Sequence, residues 1–495
     1  MDITKTIAKL IRYGELHLFL GELDSIYARN IIMSRLHVEE VYEGKIIDKE
    51  IEEMEVPDKL IEELDEYITF VDGLKKESLI CEIMSLISPS PDKVVSTFYA
   101  LKDVNPLLAT EYLYDVSVKD YYVQKTKVDK NILWVSKDGI EISINLSKPE
   151  KDNKDIKKLL TSTNVGYPKC VLCIDNIGYK GRDKFPPRQN IRFVPLHYNN
   201  EEWFLQFSPY GYYNRHCILI KKEHEPMKVS LESMAILFKF VDDFPHYMIG
   251  SNSDLPITGG SILNHEHFQG GEHIFPMLKR DYEYVVSENY LGVKIGKLNW
   301  YNSVVKFESK DQEAMLKVAS NVLSCWLSYE NKELDIIKQS NGERHNSITP
   351  ILRKIDDTYH MYIILRNNNT SEEYPDGIYH AHKEYHHIKK EGIGLIEAMG
   401  QFILPARLNR QLPLIEEILK NKVSKEVYLN ENPDLESFVN MIESLKSRSG
   451  DYHQIVKEEV EDICKNILLN TAVFKNDKAG QDGFKEFFNK LVLLK

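Results

Sequence analysis

The chain has 495 residues, 42% of them hydrophobic and 28% charged, with a formal net charge of −13. That length suits roughly three to four domains, and the hydrophobic share is enough for a sizeable core. The acidic balance excludes a general electrostatic attraction to nucleic acid, so a phosphorylated small molecule would need a local cluster of donors. The N-terminus Met1-Asp2-Ile3-Thr4-Lys5-Thr6 lacks the basic-then-apolar profile of a secretory signal. No apolar run approaches the ~20 residues needed to cross a bilayer. Six cysteines are too sparse for a disulfide scaffold. The expectation is a cytoplasmic chain that meets neither membrane nor nucleic acid.

Residues 1 to about 125 read as mostly helical. Ile3, Ile7, Leu10 and Ile11 recur at helical spacing, as do Ile61, Leu64, Ile68 and Val71 in an acidic stretch. Pro57 suits the first turn of that second helix. Lys148 to Asp155 is polar and reads as a surface connection. Short apolar runs bounded by turn residues then predict strands over Cys170–Ile174, Ile191–Leu196, Trp203–Phe207 and His216–Ile220. An amphipathic helix is expected over Leu231–Phe244, strands over Ile348–Arg366, a helix over Ile388–Leu404, and helices again from Asn409 to Lys495. No tandem repeat marks a solenoid. The pattern is α+β, with helical ends around a mixed or antiparallel sheet core.

The chemistry is concentrated in Gly259-Gly260-Ser261-Ile262-Leu263-Asn264-His265-Glu266-His267-Phe268-Gln269-Gly270-Gly271. If residues 263–269 are extended, His265, His267 and Gln269 share one face. The flanking glycine pairs would let a phosphate approach the backbone. An imidazole can attack phosphorus, and the glutamine amide can donate to the developing charge. Cys170-Val171-Leu172-Cys173 carries the spacing of a metal or redox site. Two thiolates and two imidazoles would close a tetrahedral zinc site.

These residues, read together, resemble the galactose-1-phosphate uridylyltransferases, members of the histidine-triad superfamily. The His-x-His-Phe-Gln-Gly-Gly form is similar to that of the second, bacterial class. Further agreement lies in Asn176 to Arg182, Arg188-Gln189-Asn190, Phe207 to Tyr210, Gly377 to His382 and Ile388 to Glu397. The resemblance implies a histidine-triad core of two related halves, with a helical region 1–160, a catalytic half 161–290, a sugar-phosphate half 291–410 and a helical region 411–495. It implies reversible UMP transfer between UDP-glucose and galactose 1-phosphate, with His267 as covalent nucleophile and Gln269 on the phosphoryl oxygens. A backbone carbonyl close to His265 would hold the other ring nitrogen of His267. Asn252, Gly260, Ser261, Arg182, Arg188, Gln189, Asn190 and Glu397 would bind substrate, with Arg192, His345 and Asn346 nearby.

The resemblance also implies a structural zinc on Cys170, Cys173, His265 and a histidine after a strand. His216 and His224 both stand in such a place; Cys217 to His224 is closer to the superfamily pattern. His380 and His382, with His386 and His387 following, resemble a pair that some relatives use for a second metal. A homodimer is implied too. Two rivals stay open: a histidine-triad hydrolase or phosphorylase with water or phosphate as acceptor, and a zinc-stabilised protein that binds nucleotide sugars without turnover. The long second half, able to hold a sugar-phosphate pocket, favours the transferase.

Overall fold

The computed structural model describes residues 2–70, 76–146, 166–182, 185–260 and 262–493. The chain divides into two compact units. One comprises residues 1–129, 163–225 and 269–271, the other residues 130–162, 226–268 and 272–495.

In the first unit, Asp2 accepts from the amides of Thr4 and Lys5 and caps the helix Ile3–His17. Ile7, Leu10 and Ile11 are buried on it, as their spacing predicts, and Ile61, Leu64 and Ile68 are buried on Asp58–Phe70. Val71 and the 148–155 connection lie outside the described residues. Pro57 stands one residue before the second helix, where its carbonyl accepts from Ile61 N at 3.0 Å. It therefore occupies the cap, whose carbonyl begins the helical ladder, rather than the first turn. These faces meet in one apolar core with Ile83, Met84 and Ile87. Helices Pro91–Val104 and Pro106–Lys119 pack on an antiparallel ladder of Val194–Tyr198, Glu201–Phe207 and Cys217–Lys221.

The strand expected over Cys170–Ile174 does not form. Cys173 N donates to the Cys170 carbonyl at 3.3 Å, and Leu172 N reaches the Cys170 sulfur at 3.3 Å. Asn176 Nδ2 then ties down the carbonyls of Cys170 and Cys173 at 2.9 and 2.8 Å. The run is a turn leading into the 3₁₀ helix Ile174–Asn176, with Cys170, Leu172 and Cys173 buried and Val171 and Ile174 half-buried.

In the second unit, six strands pair antiparallel in the spatial order Met248–Gly250, Asn346–Ile355, Thr358–Asn367, Val304–Ser309, Val293–Leu298 and Tyr282–Tyr290. Residues 361–365 are all buried, so this strand reads as a continuous apolar run rather than an alternation. Helices Leu231–Asp243 and Gln312–Ser328 cover the sheet, the first opened by a capping box on Ser230 and Ser233. A second sheet joins Ile132–Val135, Glu141–Asn145 and Gln401–Pro405.

That last strand corrects the helix expected over Ile388–Leu404. Only Leu395–Ala398 is helical: residues 388–394 are irregular, and Gly400 at φ +97° leaves the helical region and ends the short helix. Phe402, Ile403 and Leu404 are then all buried, paired parallel to Ile142–Ile144. The C-terminal helices form as expected, among them Leu408–Asn421, Tyr452–Thr471 and Lys478–Val492. The molecule is α+β. No described helix is long and apolar enough to cross a membrane.

Candidate active site

The histidine segment is only partly a strand. Extended pairing begins at His267 and runs to Gly271, while Asn264 and His265 occupy a bend. The bend has a chemical consequence. It brings the His265 carbonyl to 2.8 Å from His267 Nδ1. A carbonyl can only accept, so Nδ1 carries the proton and the lone pair is left on Nε2. Burial pushes the His267 pKa down to about 4, against the opposing pull of the His265 carbonyl. The ring is neutral at pH 7, with one nitrogen pinned and the other nucleophilic.

Gln269 comes two residues later on the same strand and is half-buried, its Oε1 3.2 Å from His216 Nε2. The glycines serve packing more than their spacing suggests. A Cβ on Gly259 would meet the Ser253 carbonyl at 2.3 Å, and one on Gly271 would meet the Tyr213 ring at 2.6 Å. Gly260 lies against Asn252, whose Oδ1 accepts from Leu395 N at 2.8 Å. Ser261 lies outside the described residues.

The turn at residues 170–176 aims both thiols inward, with the sulfurs of Cys170 and Cys173 3.6 Å apart. His224 Nδ1 is 3.2 Å from the Cys173 sulfur. With His265 they form a group whose ligand atoms all lie within 4.8 Å of one another. Two sulfurs on a tetrahedral zinc stand about 3.8 Å apart, given zinc–sulfur bonds of ~2.3 Å, so the spacing fits. The Cys170 thiol is pushed far up by its neighbour Cys173 and by burial, so a bare pair resists becoming two thiolates. A dication would relieve that. Of the two histidine candidates, His224 joins the thiols and His216 faces Gln269.

The residues expected to grip nucleotide behave differently. Arg182 donates to the carbonyls of Tyr167 and Pro168 at 3.1 and 3.3 Å, with its guanidinium 4.2 Å from the Phe185 ring centre. Arg188 is buried and donates to the Tyr122 hydroxyl. Gln189 Nε2 donates to the Ser78 carbonyl at 3.1 Å, and Asn190 Nδ2 to the Asp120 carbonyl at 2.8 Å. Arg192 holds the Pro89 carbonyl at 2.8 Å. These donors stitch the 188–192 segment to the N-terminal helices. His345 is likewise engaged, by Ser340 and Asn368, and Asn346 by the carbonyls of Trp326 and Tyr329. Glu397 is buried and paired with Lys389 at 2.9 Å, beside Gly394 and Asn252.

Residues 21–226 match the family described as Galactose-1-phosphate uridyl transferase, N-terminal domain, and residues 240–431 match its C-terminal domain. The galactose-1-phosphate uridylyltransferase of Caldanaerobacter subterraneus subsp. tengcongensis is 40% identical over 98% of this chain and 97% of its own length. That of Clostridium acetobutylicum is 38% identical over 99% of each. The chain belongs to the galactose-1-phosphate uridylyltransferase family. Among solved structures, yeast Ap4A phosphorylase overlaps 58% of this chain and 82% of its own at 11% identity and a TM-score of 0.33.

For a uridylyltransferase of this family, the second His-x-His raises the question of a second metal. His380 is wholly buried, with Nδ1 3.2 Å from the Ala381 carbonyl. His382 Nε2 is 3.1 Å from the Ile378 carbonyl and His386 Nε2 is 2.9 Å from that of Ala381. Among the described residues these rings do not converge as a ligand group, whereas the cysteine cluster does. The buried Arg366 guanidinium also acts on His380 and disfavours a second positive charge there.

Proposed function

We propose that this chain catalyses reversible UMP transfer between UDP-glucose and galactose 1-phosphate through a uridylyl group held on His267. The observation that carries the reading is the 2.8 Å contact of His267 Nδ1 with the His265 carbonyl. It leaves the Nε2 lone pair to form a bond to the α-phosphorus of UDP-glucose. The bond from that phosphorus to the bridging oxygen breaks, and its electron pair leaves with glucose 1-phosphate. The ring becomes cationic, and the carbonyl facing Nδ1–H stabilises that charge. A phosphate oxygen of galactose 1-phosphate then attacks phosphorus, the P–N bond breaks, and Nε2 recovers its lone pair.

Gln269 would donate its amide to the non-bridging oxygens, where charge accumulates. Asn252, Gly260, Ser261 and Glu397 would line the substrate side, with Arg182 toward the nucleotide. Arg188, Gln189 and Asn190 would act at one remove, by fixing the 188–192 segment. Cys170, Cys173, His224 and His265 would hold zinc in a closed structural site. Bound there, zinc supplies rigidity and sets the position of His265, and so of the carbonyl that orients His267.

The test is to mix the protein with UDP-glucose labelled in the uridylyl phosphate, without acceptor, and look for acid-labile, base-stable label on the chain. Label is expected on the unaltered protein and none on His267→Gly. Absence of label, or label that survives the substitution, defeats the reading. Release of labelled UMP without acceptor as fast as turnover with galactose 1-phosphate would favour a hydrolase.

A further inference from the structure

His216 is not used by the metal group or by the chemistry, yet its placement is specific. Its ring is wholly enclosed, and Nε2 lies 3.2 Å from Gln269 Oε1. Its other nitrogen, Nδ1, is buried with no hydrogen-bond partner among the described residues. Tyr213 packs on one side with ring centres 4.4 Å apart, and Tyr212 stacks with ring centres 5.4 Å apart. Tyr213 is itself tied to the strand, since its hydroxyl donates to the Gly270 carbonyl at 3.1 Å.

These surroundings decide the proton position. Burial pushes the His216 pKa down to about 3, so the ring is neutral and carries one N–H. A proton on Nδ1 would be an orphaned buried donor, a rarer and costlier defect than an unfilled acceptor. A proton on Nε2 meets Gln269 Oε1. The amide of Gln269 can be turned either way, and only one way satisfies an Nε2–H donor.

We propose that His216 is a positioning residue that locks the side-chain amide of Gln269 with its carbonyl inward, leaving the NH₂ to face the transferring phosphoryl group. This rests on the reading of Gln269 as the phosphoryl donor. With the opposite amide orientation a carbonyl oxygen would face the phosphoryl oxygens and repel them. The two tyrosine rings, Tyr212 stacked and Tyr213 tilted, hold the imidazole plane, so the direction of the hydrogen bond is built into the packing of residues 212–216 against the histidine strand.

Three variants test it through the single-turnover rate of uridylylation and the KM for UDP-glucose. Gln269→Ala is expected to slow the rate by ~10²-fold, the loss associated with one oxyanion donor. His216→Phe keeps the ring packing but removes the N–H, and should slow the rate by ~10-fold or more with KM unchanged. His216→Gln restores a donor and should recover most of the loss. The double variant His216→Phe/Gln269→Ala should be no slower than Gln269→Ala alone. Losses that multiply in the double variant would overturn the proposal, as would a silent His216→Phe beside a slow Gln269→Ala. If Gln269→Ala itself is silent, the role of Gln269 fails and the proposal falls with it. Nitrogen NMR of labelled histidine supplies a readout that loss of packing would not move: His216 should appear as the neutral Nε2–H form from pH 5 to 8.

Discussion

His265-Glu266-His267 and His380-Ala381-His382 have the same spacing, and both contain a wholly buried first histidine. Their surroundings separate them. At the first, one ring joins two thiols and His224, and the other has a single nitrogen pinned by a carbonyl. At the second, His380 and His382 each turn one nitrogen to a backbone carbonyl, and among the described residues no thiol or further imidazole gathers with them as a ligand group. His380, like His267, keeps an Nε2 lone pair, so what separates the two pairs is convergence. A ligand site needs lone pairs from several groups at one point, and among the described residues only the first pair has that company. Spacing along the chain does not supply it; the groups packed around the rings do.

The sharpest way to break the contrast is His267→Ala against His382→Ala. The first should lower kcat by ~10⁴-fold or more, as for loss of a covalent nucleophile. The second should leave kcat unchanged and cost about 1 kcal/mol in thermal unfolding, from lost stacking on Tyr374. Equal losses of activity would show that the second pair is part of the chemistry.

Metal analysis sharpens it next. Purified protein is expected to carry zinc, and Cys173→Ser or His224→Ala should weaken zinc binding by ~10²-fold or more and lower the thermal midpoint. His380→Gln should leave the zinc content as it was. Zinc that is retained by Cys173→Ser but lost from His380→Gln would reverse the assignment.

The third prediction concerns acid stability. Burial pushes His380 down to about 4, with His386 and Arg366 acting in the same direction and the Ala381 carbonyl and Asp376 opposing. An unfolded histidine titrates near 6.5. Between these values the unfolded chain binds the extra proton, so this contribution is full above pH 6.5 and is lost as pH falls toward 4. The loss amounts to a few kcal/mol. Thermal midpoints of the parent should fall across this window, and His380→Gln should flatten the decline. A parallel fall in both proteins would remove His380 as a cause.

Much of this was legible along the chain. Ile7, Leu10, Leu64 and Ile68 announce buried helix faces because a helix repeats its contacts every three to four residues. His267, Gln269 and the Cys170–Cys173 pair could be singled out because their chemistry is local to a few residues. The choice of His224 over His216 leaned on resemblance, and the contacts of the two rings then separated their roles. The apolar run at Cys170–Ile174 reads as a strand, but hydrogen bonds within it fold it into a turn that buries Cys170, Leu172 and Cys173. Residues 388–404 misled because Gly400 at positive φ interrupts a helical pattern, and parallel pairing with Glu141–Asn145 draws Gln401–Pro405 into a sheet. Arg188, Gln189 and Asn190 read as phosphate and base contacts in sequence, and in the structure one donor of each hydrogen-bonds Tyr122, Ser78 and Asp120 respectively.

The sequence by itself determined the fold class and the family, and it singled out His267 as the histidine proposed to react. All three depend on residue types and short-range order. The tertiary structure alone decided which nitrogen of His267 is free, which histidine meets the thiols and which faces Gln269. Those depend on hydrogen-bond partners that are distant along the chain, or on a local bend whose direction no residue spacing encodes.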